Sequence, residues 1–227
     1  MQIPRPRGSL SEALAAALRT DGRTDPRRSA DDAEDAAVSL WMLYELHHRG
    51  FDDAPDAHEW HPDLLACRRV LEGDLEARLR ARHPGPAEPS GDFARDFFAW
   101  TEAHEGPSVA AHVQRHASRD EVMELLELRS VYHLKESDPT AWLVPRLDPA
   151  TQTALMELQH DEYGAGDPRR HHAHLFALGM AACGLDATYG AHVDRAPVEV
   201  LEQNNAMSLF GLHRRLRGAA LGHLAAF

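Results

Sequence analysis

The sequence predicts an all-α protein, and three observations lead there. Ala, Leu, Glu and Arg dominate, while the alternating β-branched runs that mark strands are absent. Helix starts recur along the chain: Ser9 with Glu12 and Ser118 with Glu121 have capping-box spacing, and Pro62, Pro149, Pro168 and Pro197 stand where a first helical turn accepts proline. Gly50 and Gly184 follow apolar-periodic stretches, where a left-handed stop residue is needed.

Taken in order, residues 1–8 and 20–29 are rich in Pro, Arg and Asp and read as loose chain around one short helix, "LAAALRT", opened by Ser9. Residues 1–30 are therefore expected to be an N-terminal segment, partly flexible, and residues 31–227 a helical domain. A longer helix should start near Ser29 and run through "DAEDAAVSLWMLYELHHRG" to Gly50. Pro62 opens "DLLACRRVLEGDLEARLRARH"; "PGPAEPSG" at 84–91 is loop by composition. "DFARDFFAWTEAHEG" and "SVAAHVQRHA" read as two shorter amphipathic helices. Ser118 then opens "DEVMELLELRSVYHLKE", Asp148-Pro149 opens "ATQTALMELQHDEYG", and Asp167-Pro168 opens "RRHHAHLFALGMAACG". Pro197 opens a last helix that runs to the end of the chain.

Composition narrows the function. The chain has 227 residues, of which 43 % are hydrophobic and 26 % charged, enough to bury one large core. A net charge of −12 argues against nucleic acid or an anionic membrane as a partner. No stretch approaches the roughly 20 apolar residues of a membrane span, and the N-terminus has no secretory apolar run. Cys67 and Cys183 form no CxxC and no disulfide framework, which fits a reducing, cytoplasmic compartment.

Acids and histidines gather in two stretches, "HLKESDP" at 133–139 and "HDEYGAGDPRRHHAHLF" at 160–176. Glu136 lies at the end of one helix, Glu162 near the end of the next, and His172 near the start of the one after. On an unbroken helix ten residues advance about 15 Å, which would keep Glu162 and His172 apart. Gly164, Gly166 and Pro168 interrupt the helix, so both side chains can face one centre. Two carboxylates and an imidazole suit iron or manganese. By spacing alone, solvated helix ends account for the same residues.

Three segments, "LRSVYHLKESDPTAWLVPRL", "DEYGAGDPRRHHAHLF" and "NNAMSLFGLHRRLRGAALGHLAAF", resemble the bacterial iron-containing redox enzyme family of heme-oxygenase-like diiron oxidases and oxygenases. The resemblance also takes in "LWMLYELHHRGF". It implies a heme-oxygenase-like helical bundle and a metal site of Glu136, Glu162 and His172. It also implies iron as cofactor (Fe2+, two ions in a complete member), O2 as cosubstrate and a small organic substrate. The family's further His-x-x-x-Asp-x-x-His motif does not follow His172: Leu216 and Arg217 stand where an acid would be needed after His213. A dinuclear centre needs about six protein ligands. The chain therefore reads as a member shortened at its C-terminus, lacking the final helices, with one weakly held metal and one carboxyl of raised pKa.

Three functions follow from these residues. The first is a nonheme iron oxidoreductase. The second is a catalytically silent helical binding protein, in which an uncovered apolar face pairs two copies as a homodimer. The third is heme binding through a histidine such as His172. Glu45 and His48 have helical i, i+3 spacing and read as packing or cavity capping. His160, Asp161, His171 and His174 read as solvated or outer residues, the four tryptophans as core anchors, and "LHRRLRG" at 212–218 as a solvated face. Asn204 and Asn205 stand without explanation inside an apolar helix.

Overall fold

A computed structural model of the chain describes residues 1–82, 91–103 and 106–226. The loop expected at 84–91 lies almost wholly outside these residues. Helix α1 (Ser9–Leu18) is followed by α2 (Ala33–Glu45), and α2 is the axis of the core. Val38, Leu40, Trp41, Met42, Leu43 and Tyr44 are all buried, so α2 is covered on every side. Its covers are α1, α3 (Pro62–Arg82) and α10 (Val198–Leu212), the last packing on it most extensively. Between them run α4 (Phe93–Glu102) and α5 (Val109–Arg115), which bury no residue, then α6 (Arg119–His133), α7 (Asp138–Ala141), α8 (Pro149–Glu162) and α9 (His172–Ala182). The chain closes with α11 (Arg217–Ala226). No strand occurs among the described residues, and the all-α reading holds.

Several boundaries sit where the sequence puts them. Ser118 and Glu121 form the reciprocal cap of α6, with Ser118 N donating to Glu121 Oε2 at 2.7 Å and Glu121 N to Ser118 Oγ at 3.2 Å. Asp148 accepts from Ala150 N and Thr151 N ahead of Pro149. Gly50 and Gly184 adopt φ of 66° and 78° past their helices.

Other boundaries need correcting. The long second helix starts at Ala33 rather than near Ser29, capped by Asp32. Asp167-Pro168 opens only a short 3-10 turn, and α9 starts later, at His172. The last helix is broken at His213, whose extended backbone (φ −103°, ψ 110°) separates α10 from α11. There His213 Nε2 lies 2.9 Å from Glu72 Oε2 on α3, so a tertiary contact stands where the local helical pattern breaks. The expected division at residue 30 is not a break in packing. Leu10, Leu14 and Leu18 enter the same core as α2, Met1 N pairs with Asp52 at 2.8 Å, and Arg5 pairs with Asp194 at 2.9 Å. Of the tryptophans Trp41 anchors the core, whereas Trp60 is 65 % and Trp100 37 % exposed. Asn205 gains its reason: Nδ2 donates to Ala37 O at 2.9 Å, tying α10 to α2 inside the core. No helix among the described residues is long and apolar enough to cross a membrane.

The N-terminus of α1 is not capped by the Ser9–Glu12 pair. Asp35, buried on α2, accepts from Leu10 N at 3.0 Å, Ser11 N at 2.8 Å and Asp31 N at 3.0 Å. A negative charge at a helix start also suits the helix dipole. Gly8 makes room for it, since a Cβ there would fall 2.5 Å from Asp35 Cγ. Burial alone would raise the Asp35 pKa, but the hydrogen bonds from Ser11, Asp31 and Leu10 outweigh it and hold the carboxyl below its usual range. A carboxyl depressed on folding adds stability above its unfolded pKa of about 3.9, and that stability is lost as pH falls through the folded value. Asp35→Ala is expected to cost at least ~3 kcal/mol in urea unfolding at neutral pH. Asp35→Asn should cost less and flatten the loss of stability below about pH 4. An Asp35→Ala midpoint equal to that of the parent chain would show that the cap carries no weight.

Candidate metal centre

The first carboxylate is placed by a turn rather than by a helix end. Helix α6 stops at His133, and residues 134–137 turn the chain into α7. Within this turn Lys135 points into the core and is 2 % exposed. Its Nζ pairs with Glu45 Oε2 at 3.0 Å, Glu45 being 0 % exposed at the end of α2. Tyr189 donates its hydroxyl to Glu45 at 2.8 and 2.9 Å, and the Trp41 ring lies 5.2 Å from the ammonium. Burial, then the Glu45 charge, pushes the Tyr189 phenol well above its ordinary pKa, so it stays a donor. Arg49 secures the same turn, donating to Leu134 O at 2.8 Å and lying 4.2 Å from the Tyr189 ring centre.

The second carboxylate and the imidazole are brought together by a left-handed break. Glu162 is the last residue of α8 and His172 the first of α9. Between them Gly164, Ala165 and Gly166 adopt φ of 76°, 54° and 84°. Gly164 has no substitute here, because a Cβ would fall 2.6 Å from His171 N. Ala165 accepts a conformation that disfavours any Cβ, costing about 1–2 kcal/mol. Asp167 then caps the 3-10 turn at 168–170 by accepting from Arg169 N at 3.0 Å. The chain doubles back within ten residues.

As a result ligand atoms of Glu136, Glu162 and His172 lie within 4.8 Å of one another. No other group of three or more His, Cys, Asp or Glu side chains gathers in this way among the described residues. His172 Nδ1 is 2.9 Å from Glu162 Oε2, and Ser137 Oγ donates to the same oxygen at 3.1 Å. His133 Nδ1 is 3.1 Å from Glu136 Oε1, its ring packed 4.7 Å from that of Phe176. The expectation of a raised carboxyl does not hold for Glu136. The hydrogen bond from His133, with the charges of His133 and His172, holds it below the usual carboxylate range against the effect of burial. Tyr132 responds the other way: burial, then Glu136 and Glu162, push its phenol up.

Several neighbouring candidates stand elsewhere. Glu45 serves Lys135, and His48 Nε2 lies 3.3 Å from Ser208 Oγ. His160, Asp161 and His174 are exposed, and His171 sits edge-on to Tyr163 with ring centres 5.2 Å apart. Arg215 of the basic stretch pairs with Glu76 at 2.8 Å. The sequence reading missed Lys135, His133 and Ser137 as supports of the site. Their signal was only their place beside Glu136, and the partner of Lys135 is 90 residues away. A cavity of about 230 Å³ adjoins both carboxylates and reaches α10 and α11.

Residues 123–227, which include all three site residues, match the model of a family described as iron-containing redox enzymes. No curated protein matches the chain.

Lys135→Met is expected to cost roughly 3–5 kcal/mol in urea unfolding, because it strands the Glu45 charge in the core. Combining it with Glu45→Leu should recover much of that loss, since an apolar pair avoids the desolvation of two ions. Additive losses in the double variant would contradict the coupling of the two residues.

Proposed function

We propose that Glu136, Glu162 and His172 hold one iron ion per chain and that the protein is a nonheme, O2-using oxidoreductase acting on a small organic molecule. The convergence of these three side chains, inside the segment shared with iron-containing redox enzymes, carries the reading. The donor set fits the metal: two carboxylates and one imidazole suit iron, and each carboxylate already has an orienting neighbour, His133 for Glu136 and Ser137 for Glu162. Iron, when bound, supplies one-electron redox chemistry and a place for dioxygen. The remaining tasks fall to the chain. Ser137 fixes one Glu162 oxygen, and His133 keeps Glu136 ionised and turned inward. Leu143, Met207 and Phe210 line the adjoining cavity and keep water from the substrate's apolar part.

A second reading is a catalytically silent helical binding protein of the same family. The ligand count favours it, because three ligands serve one ion and the dinuclear centre implied by the resemblance needs more. Anaerobic titration with Fe(II) separates the two. The first reading expects up to one, and fewer than two, ions per chain. Saturation about a hundredfold above Kd should raise Tm by roughly 5–10 °C. Glu162→Ala should abolish that rise while leaving the metal-free Tm within a few degrees. Absence of any metal-dependent rise in the parent chain would leave the silent reading. Two tightly held ions would require ligands beyond these three.

A further inference from the structure

We propose that two copies of this chain pair reciprocally, the aromatic ridge of α4 on each seating on the apolar stripe of α9 on the other. The proposal rests on neither reading of the metal centre. Helix α4 is strongly amphipathic yet buries no residue. Phe93, Phe97 and Trp100 recur at i, i+4 and i+7, so they share one face. Their rings pack on one another, Phe93 on Phe97 at 5.9 Å and Phe97 on Trp100 at 6.2 Å, and Phe93 is 72 % exposed. Aromatic rings carry large apolar area, and an apolar ridge left in water marks an interaction surface.

Helix α9 offers the complementary surface. It is apolar almost all round, and such a helix is ordinarily enclosed, but only Ala173 and Met180 are buried. Leu175, Leu178 and Ala182 lie along its outer face, the two leucines 49 % and 53 % exposed. Gly179 beside them has open space where a side chain would stand. Leucines flanking glycine and alanine make a shallow groove, so the bulky rings of α4 meet small residues of α9. The two patterns match in length: seven residues separate Phe93 from Trp100 and Leu175 from Ala182, about 10 Å of helix in each. Charge favours the same pairing. In α4 and its cap Asp92, Asp96 and Glu102 stand against the single base Arg95, whereas residues 168–185 hold Arg169 and Arg170 and no acid.

Area decides between the pairings open to these surfaces. Both faces are exposed at once in one chain, so they do not cover each other within it. A fully covered aromatic side chain removes about 150–250 Å² from water. Scaled by the exposures, either face alone offers roughly 300 Å², so α4 on α4 or α9 on α9 would bury about 600 Å², the size of an incidental contact. Two reciprocal contacts of α4 with α9 bury on the order of 1,000 Å², where specific pairing begins. A two-fold arrangement uses every face once, and the association closes at two copies.

Sedimentation velocity on the full, metal-free chain should show concentration-dependent growth from one copy to two, with a Kd of about 10–100 µM for an interface this small. Phe93→Ser combined with Phe97→Ser, and separately Leu178→Asp, should each weaken pairing about tenfold or more. Far-UV spectra check that each variant is folded, and Leu175→Asp serves if Leu178→Asp is not. Oxidation then locates the contact. Chains carrying Phe97→Cys or Leu178→Cys, both with Cys183→Ser, are oxidised alone and as a mixture. A disulfide-linked pair is expected chiefly in the mixture, since the middle of α4 on one copy meets the middle of α9 on the other. A parent chain that stays single up to about 500 µM, pairing that survives either surface variant, or cross-linking as strong in either chain alone overturns the proposal. So does a single chain that sediments with phosphatidylcholine vesicles through Phe93 and Phe97, which gives the ridge to a lipid surface instead.

Discussion

The buried ion pair between Lys135 and Glu45 is the constraint on which the rest of the site depends. Two charges almost wholly removed from water are expensive, and an apolar pair of similar volume would serve stability as well or better. What the pair supplies is direction. Glu45 ends α2, the most enclosed helix, and Lys135 lies in the turn that follows α6. Anchoring Lys135 inward fixes the neighbouring positions, so Glu136 and Ser137 face α8 and α9. Ser137 then fixes Glu162, and Glu162 meets His172. The core helix is thereby linked to the site through a short series of contacts, each between named atoms.

The second half of the site is bought with backbone strain rather than charge. Three consecutive left-handed residues, one of them alanine, reverse the chain between α8 and α9. Without them Glu162 and His172 would be carried apart along a continuous helix. The strain is supported on both sides: Asp167 caps the 3-10 turn, and Tyr163 donates to Asp138 Oδ1 at 3.0 Å on α7. Asp138 is also gripped by Arg49, so the turn that carries Glu136 and the break that follows Glu162 share one polar framework.

Much of this was legible in the sequence, and the exceptions have a common cause. Glycine and proline at 164, 166 and 168 announce a break, and acids and a histidine on either side of it announce chemistry, because both signals are local. The cap of α1 was misread because Ser9 and Glu12 match a local pattern, whereas Asp35 wins through two backbone donors of α1, Leu10 N and Ser11 N, reached across a tertiary contact. The break at His213 was missed for the same reason, since Glu72 lies on another helix. Lys135 looked like a surface residue in "HLKESDP" because nothing nearby in the chain reveals that Glu45 awaits it. Local signals set the elements, and the supports of the site are long-range.

The charge state of the site follows from those supports. Two carboxylates brought close should repel, and one would ordinarily stay protonated. Here His133 and His172 stand beside them, so Glu136 remains ionised despite partial burial. Its protonation therefore does not compete with an incoming cation near neutral pH. What an incoming cation must displace are the contacts of Glu162 with His172 and Ser137, which already pre-align the same oxygen. The Ser137 bond can persist while the His172 nitrogen exchanges one partner for another, so little of the surrounding structure has to move. A site arranged in this way depends on the position of the His133 ring, which Phe176 holds from α9, the helix that begins with His172. The imidazole beside Glu136, at the end of α6, thus packs against the helix that begins with the imidazole facing Glu162, so the two halves of the site meet at α9.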